Sequence, residues 1–463
     1  MTTQFSDETT VPAPSGPSRS TRAGARLLRG REPAVASVAA FLLYGALSVI
    51  MWRVFYSPSW DLGIFTQMMT RYAEFSVPIV DIKGPGFNLW GDHFHPLLMV
   101  LTPLFWIWPS GLTLMLAQAA LFAASVWPVV SLASTRLSVR GTWLLAFSYV
   151  FSWGLLNAVT AQFHEIALAV PLMAFGLVWW IRDRKLPAAV AIALLVFVKE
   201  DLGVTVAVFG LAIWLRNRAD LRWAAGLAAW GIAWLVYSVV FFLPAFNTEG
   251  QYDYTGNVAL ADVLAEGLLT KIGTVGFLVL AAGIVGLRSP FALLLLPTLA
   301  WRFVGNVEGY WDTSFHYSAV LIPVVAVSLL EGTRRQEREF APLVAAVAAV
   351  ALFSQTHLNL LWEADRYRVD GQGAVAAAVE YDSVVTDIRL LAYLAPHTDV
   401  YWTGSSADAE PEAVALRPDD YGEEIETWAE DRYSGDWTTV YDSGGYQVVV
   451  RSAGATAPEA ADG

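Results

Sequence analysis

The sequence predicts an all-α polytopic membrane protein of about eleven transmembrane helices that ends in a small α/β domain. Three observations predict it. Of the 463 residues, 56% are hydrophobic and only 15% charged, with a mean hydropathy of +0.47. Soluble globular domains rarely carry so little charge. Apolar runs approaching the roughly 20 residues of a membrane span recur along the chain. Finally, Lys and Arg are unequally shared between alternate loops, 17 on one side and 6 on the other before Leu361. That bias places the basic side, and with it the N-terminus, in the cytoplasm.

Residues 1–33 are rich in Ser, Thr, Pro and Arg without apolar periodicity, which reads as a disordered cytoplasmic arm. The apolar run from Ala34 is too long for a typical signal peptide and is followed by no small-residue cleavage site, so it reads as an uncleaved anchor. A transmembrane domain is expected over 34–358, with spans at 34–54, 111–134, 141–158, 165–181, 186–198, 202–215, 222–244, 271–287, 290–303, 317–331 and 340–358. Pro96 to Trp108 is apolar but short, with Pro103 inside it, and reads as a re-entrant or surface-lying helix. Polar loops at 55–95, 245–270 and 304–316 then face outward. So does residue 359 onward, where a small extracytoplasmic α/β domain is expected up to 453, before a disordered end at 454–463. Within it, Ser383–Asp387 and Asp399–Trp402 read as strands and Ile388–Leu394 as a helix. Thr438–Tyr441 and Tyr446–Arg451 read as a hairpin around Asp442-Ser443-Gly444-Gly445.

Several function classes are excluded or disfavoured. There is no cysteine, hence no disulfide, thiolate metal site or cysteine nucleophile. A net charge of −13, without a basic patch among aromatics, is no nucleic-acid signature. The phosphate-cradling Gly-Lys loop, the Gly-x-Ser-x-Gly elbow and the His-Glu-x-x-His zinc motif are all missing. Membrane lipids are the expected surroundings, and the 20 Trp and 17 Tyr suit interfacial belts.

Ionisable residues cluster where apolar stretches break on the outer side. Asp61 opens the amphipathic stretch Leu62–Met69, where it could cap a helix or act as a base. Asp92-His93-Phe94-His95 sets a carboxylate beside two imidazoles, a set able to hold a divalent cation, position a phosphate or relay protons. His164 precedes Glu165 at a span entry, where Glu165 reads as a cap. Lys199-Glu200-Asp201 separates two short apolar runs, either around a polar cavity or as a hairpin with an internal ion pair. Arg302 lies near a span end, as a phosphate anchor or snorkelling to the interface. His316-Tyr317 starts the next span.

Trp60-Asp61-Leu62-Gly63-Ile64-Phe65-Thr66-Gln67, Asp92-His93-Phe94-His95-Pro96, Phe163-His164-Glu165, Lys199-Glu200-Asp201 and His316-Tyr317 together resemble the membrane-protein domain family of unknown function 2079. That family looks like a branch of the C-fold glycosyltransferases. The resemblance implies transfer of a sugar from a polyprenyl-phosphate donor to an acceptor at the outer membrane face. Carried over by position, Asp61 matches the acid of the first outer loop, with Asp92 and Glu200 as further catalytic acids. His93, His95, His164, Lys199, Asp201, Arg302, His316 and Tyr317 are then expected at the substrate. Leu62 stands where that superfamily often has a second acid. A transporter or lipid flippase, and a structural subunit of a cell-envelope complex, are the competing expectations.

Overall fold

The computed structural model describes residues 30–247, 266–305 and 307–452. Residues 1–29 of the expected arm, 248–265 of the loop 245–270, Asn306 of the loop 304–316, and the tail 454–463 lie outside them.

Among the described residues, four helices are long and apolar enough to cross a membrane by length and composition: Glu32–Arg53, Gly111–Arg136, Val139–Thr160 and Arg218–Phe246. Their ends follow from sequence. Glu32 and Arg53 complement the dipole of the first helix, and Pro33 sits in its first turn, where a missing N–H costs nothing. Ser110 and Ser138 accept backbone hydrogen bonds at the starts of the next two. The other apolar helices are shorter. Glu165–Ile181, Lys185–Phe197, Leu202–Arg216, Pro290–Val304 and Leu321–Gly332 have at most 17 residues, which at about 1.5 Å per residue falls short of a roughly 30 Å bilayer core. Four of them stop or start beside His164-Glu165, Lys199–Asp201 or Arg302. Polar residues at these ends limit the length of the helices. Pro96–Ile107 is as short as Leu321–Gly332, and Met99, Val100, Leu104, Trp106 and Ile107 on it are exposed.

The loop after the first long helix folds into the helix Asp61–Ala73 and short turns up to Gly91. Behind it lies a five-stranded mixed sheet of order β2-β1-β3-β5-β4. Its strands are β1 (Ser383–Thr386), β2 (Asp399–Trp402), β3 (Ala413–Leu416), β4 (Trp437–Ser443) and β5 (Tyr446–Arg451). β1 runs parallel to β2 and β3, while β5 is antiparallel to β3 and β4. β4 reaches Ser443, so the hairpin turn is only Gly444-Gly445, both at positive φ, as a tight turn requires. The expected helix 388–394 shrinks to Leu391–Leu394, because Asp387 accepts the Arg389 N–H and holds the chain in a turn. β3 escaped the sequence reading.

The sheet domain grips the helix Asp61–Ala73. Gly63 lies so close to Leu391 that an added Cβ would stand 2.6 Å from the leucine Cβ. The Gln67 amide donates to Val400 O (3.2 Å) and accepts from Ile82 N (3.1 Å). Arg71 pairs with Asp399 at 2.6 Å.

Candidate active site

Asp61 is the first residue of its helix, one position after Trp60 at the N-cap, and among the described residues no helix N–H donates to its carboxylate. The cap expectation therefore fails: the carboxylate turns across the fold, with Oδ2 3.3 Å from His164 Nε2. His164 is set by its own surroundings. Gln118, buried on the helix Gly111–Arg136, donates to Gln162 O (2.8 Å) and accepts from His164 N (3.2 Å). This fixes Gln162 at φ 71, a left-handed conformation that costs a non-glycine residue about 1–3 kcal/mol. Phe315, just before His316, is likewise at φ 53, and His316 stacks on His164 with centroids 3.7 Å apart. Strained residues thus precede both imidazoles.

The other His164 nitrogen, Nδ1, faces Gln162 O at 3.2 Å. A carbonyl can only accept, as can an ionised carboxylate, so this geometry suits an imidazolium with a proton on each nitrogen. Burial by itself would raise the Asp61 carboxyl, but His164, helped by His316, outweighs it and brings it down to about 2. Burial would lower His164, and Asp61 outweighs that in turn, raising it above the ordinary value.

Asp61 opens onto a cavity of about 670 Å³. Of the expected site residues, Asp61, Asp92, His93, His95, His164, Lys199, Glu200, Asp201, His316 and Tyr317 all line it. Its charges come in pairs. Lys83 bonds Asp92 at 2.7 Å, Lys199 bonds Glu165 at 2.8 Å, and His93 Nδ1 meets Glu200 Oε1 at 2.9 Å. Glu200 Oε2 also accepts the Phe94 N–H at 3.0 Å, so both oxygens are engaged. Lys199 bridges to another helix, correcting the expectation of an ion pair within Lys199–Asp201, and Glu165 is a pairing carboxylate rather than a cap. The fifth cavity carboxylate, Asp201, has an Oδ1 without a hydrogen-bond partner among the described residues. Asp61 differs in exposure: 31% of its side chain is accessible, against 11% for Asp92 and 1% for Glu200.

Two expectations need correction. Arg302 does not line the cavity and does not snorkel. It is fully buried and donates to Tyr310 O, Asp312 O and Ser318 Oγ, which makes it a clamp on the loop before the helix Leu321–Gly332. Asp92, His93 and His95 do not form one ligand set either: the first two turn to Lys83 and Glu200. Among the described residues no group of three or more His, Cys, Asp or Glu is placed to hold a metal ion. Sequence reasoning missed Trp60, Lys83, Trp301 and Tyr310, which also line the cavity. The density of aromatics from Trp301 to Tyr317 was the available signal.

Residues 52–454 match the family described as predicted membrane protein (DUF2079). The chain belongs to that family. No protein of curated function matches this DUF2079 chain in sequence. Its fold is similar to that of ArnT from Cupriavidus metallidurans. The likeness to ArnT bound to undecaprenyl phosphate has a TM-score of 0.57 at 12% identity, covering 92% of this chain and 99% of that one. For the apo state the score is 0.50 at 12% identity, over 89% and 98%. The likeness is one of fold. It fits a polytopic membrane protein, mostly helical with a small C-terminal sheet.

Proposed function

We propose that this protein is a membrane glycosyltransferase that moves a sugar from a polyprenyl-phosphate donor to an acceptor hydroxyl at the outer membrane face. The reading carries the domain and topology expectations with it: about eleven spans over 34–358, N-terminus inside, and the 359–453 domain outside. The observation that carries the proposal is the cavity lined by residues at the ends of short helices, with Asp61 as its most accessible engaged carboxylate. The fold likeness to a protein with bound undecaprenyl phosphate supports it.

In this reading the acceptor oxygen attacks the anomeric carbon. The carbon–oxygen bond to phosphate breaks, and polyprenyl phosphate leaves with the bonding pair. Asp61 takes the acceptor's proton as general base. The His164 imidazolium keeps the carboxylate ionised and oriented. Lys83 and Lys199, each half-spent on a carboxylate, are the cations near enough to steady the departing phosphate.

Asp61→Asn tests the proposal. Asn keeps the shape but accepts no proton at neutral pH, so turnover of purified protein on a polyprenyl-phosphate sugar should drop about a hundredfold or more, while stability falls by no more than the about 1.5 kcal/mol carried by the His164 pair. Turnover like the wild type's would refute the role of Asp61. Mass spectrometry of copurifying lipid checks the donor class independently.

A further inference from the structure

One wall of the cavity is aromatic. Trp301, Tyr310 and Tyr317 meet edge to face, with centroids 5.3 Å (Trp301–Tyr310), 5.8 Å (Trp301–Tyr317) and 5.0 Å (Tyr310–Tyr317) apart. Arg302 holds this wall: it bonds the Tyr310 carbonyl, and its guanidinium stands 5.8 Å from the Tyr317 ring centroid. Among the described residues, four buried polar atoms on cavity-lining residues lack a hydrogen-bond partner: Asp201 Oδ1, Trp301 Nε1, His95 Nδ1 and His316 Nδ1. His95 is only 2% exposed.

These four differ in kind. A carboxylate oxygen only accepts, an indole N–H only donates, and a neutral imidazole nitrogen does either. Buried polar atoms are normally satisfied, so the set calls for a ligand. A phosphate needs donors and cations and would be repelled by Asp201. A polyol gives and takes hydrogen bonds around its rim, and a sugar ring adds an apolar C–H face that packs on aromatic faces.

We infer that Trp301, Tyr310 and Tyr317 form the subsite for a sugar ring, with Asp201 accepting from one of its hydroxyls and Trp301 Nε1 donating to another. The inference rests on the glycosyl-transfer reading, which expects Asp201 and Tyr317 at the substrate without saying which part of it they meet. It makes Arg302 a positioning residue for the sugar wall rather than an anchor for phosphate.

The test is equilibrium binding by purified full-length protein of three probes. These are undecaprenyl phosphate, the same lipid carrying glucose, mannose or arabinose, and the free methyl glycosides of those sugars. In the wild type, one sugar-bearing lipid should bind about tenfold tighter than the bare lipid. Trp301→Leu should erase that preference while leaving the bare lipid within about twofold. Trp301→Phe, which keeps a ring but loses the N–H, guards against misfolding and should retain part of it. If the preference appears instead with a methyl glycoside and is lost in Trp301→Leu, the ring bound is the acceptor's and the subsite stands. No gain from any sugar, or equal weakening of bare and sugar-bearing lipid, overturns the inference. Failure of the wild type to bind bare lipid counts against the donor reading, and the sugar subsite is then decided by the glycosides.

Discussion

Two charged clusters lie side by side near the ends of the short helices, and they are built on opposite principles. Around Arg302 a fully buried cation has its donors directed to two backbone carbonyls and a serine hydroxyl of one loop. Around the cavity, ionisable groups pair across elements distant in sequence, and several polar atoms are left over. Leaving a buried polar group unsatisfied costs about 1–3 kcal/mol, and a fold built only for stability removes such groups. The comparison teaches that burial of charge alone is a poor sign of a site. Unspent hydrogen-bonding capacity beside partly accessible charge is the better one.

The strongest way to sharpen this contrast is to break a cavity pair. Lys199→Met leaves Glu165, whose side chain is 6% exposed, without its cation. A stability loss of about 3–5 kcal/mol is expected for an orphaned buried charge, read as a lowered unfolding temperature in detergent. Adding Glu165→Gln should recover most of it. If the single variant is as stable as the wild type, the pair is solvated and the cavity is wetter than its geometry implies.

Arg302→Met comes next. It strips two loop carbonyls of their donor, for an expected loss of about 1–3 kcal/mol. Binding of bare undecaprenyl phosphate should be retained, since Arg302 lies outside the cavity lining. Selective loss of lipid binding without loss of stability would restore Arg302 as a phosphate anchor and erase the distinction between the clusters.

The smallest effect is the pH dependence of the Asp61–His164 pair. Asp61 is lowered from 3.8 to about 2, so its contribution is complete above 3.8 and vanishes as pH falls toward 2. His164 is raised from 6.5, so its contribution is complete below 6.5 and is lost as pH rises through the elevated value. His164→Asn should therefore cost most between about pH 4 and 6.5. With Asp61 partly accessible, about 1.5 kcal/mol is expected there. A difference that stays flat from pH 4 to 9 would mean the two groups do not share a proton-dependent bond.

Much of the site was legible because charge interrupts hydrophobic runs. Asp61, His164 and Lys199–Asp201 stand out against apolar flanks, and each break is also where a helix must end. The partners were not legible. Nothing in the sequence says that Lys199 reaches Glu165 or that His93 reaches Glu200, because those contacts depend on how helices pack. Trp301 and Tyr310 were hidden among many interfacial aromatics. Arg302 was misread because a lone basic residue near a span end has the same sequence signature whether it faces lipid, ligand or loop. In the sheet domain, β2 showed through its β-branched and aromatic residues. β3, Ala-Val-Ala-Leu, is buried throughout and half alanine, so it showed neither alternation nor strong strand propensity.

The grip of the sheet domain on the Asp61 helix joins residues 328 and 333 positions apart, through Arg71–Asp399 and Gln67–Val400. During synthesis the helix is made first and its partners only after most of the chain has followed. The helix that begins at Asp61 therefore gains these two contacts only after β2 has been made, and a chain cut short before Asp399 would keep every cavity-lining residue from Trp60 to Tyr317 but lose the brace on the helix that presents the carboxylate.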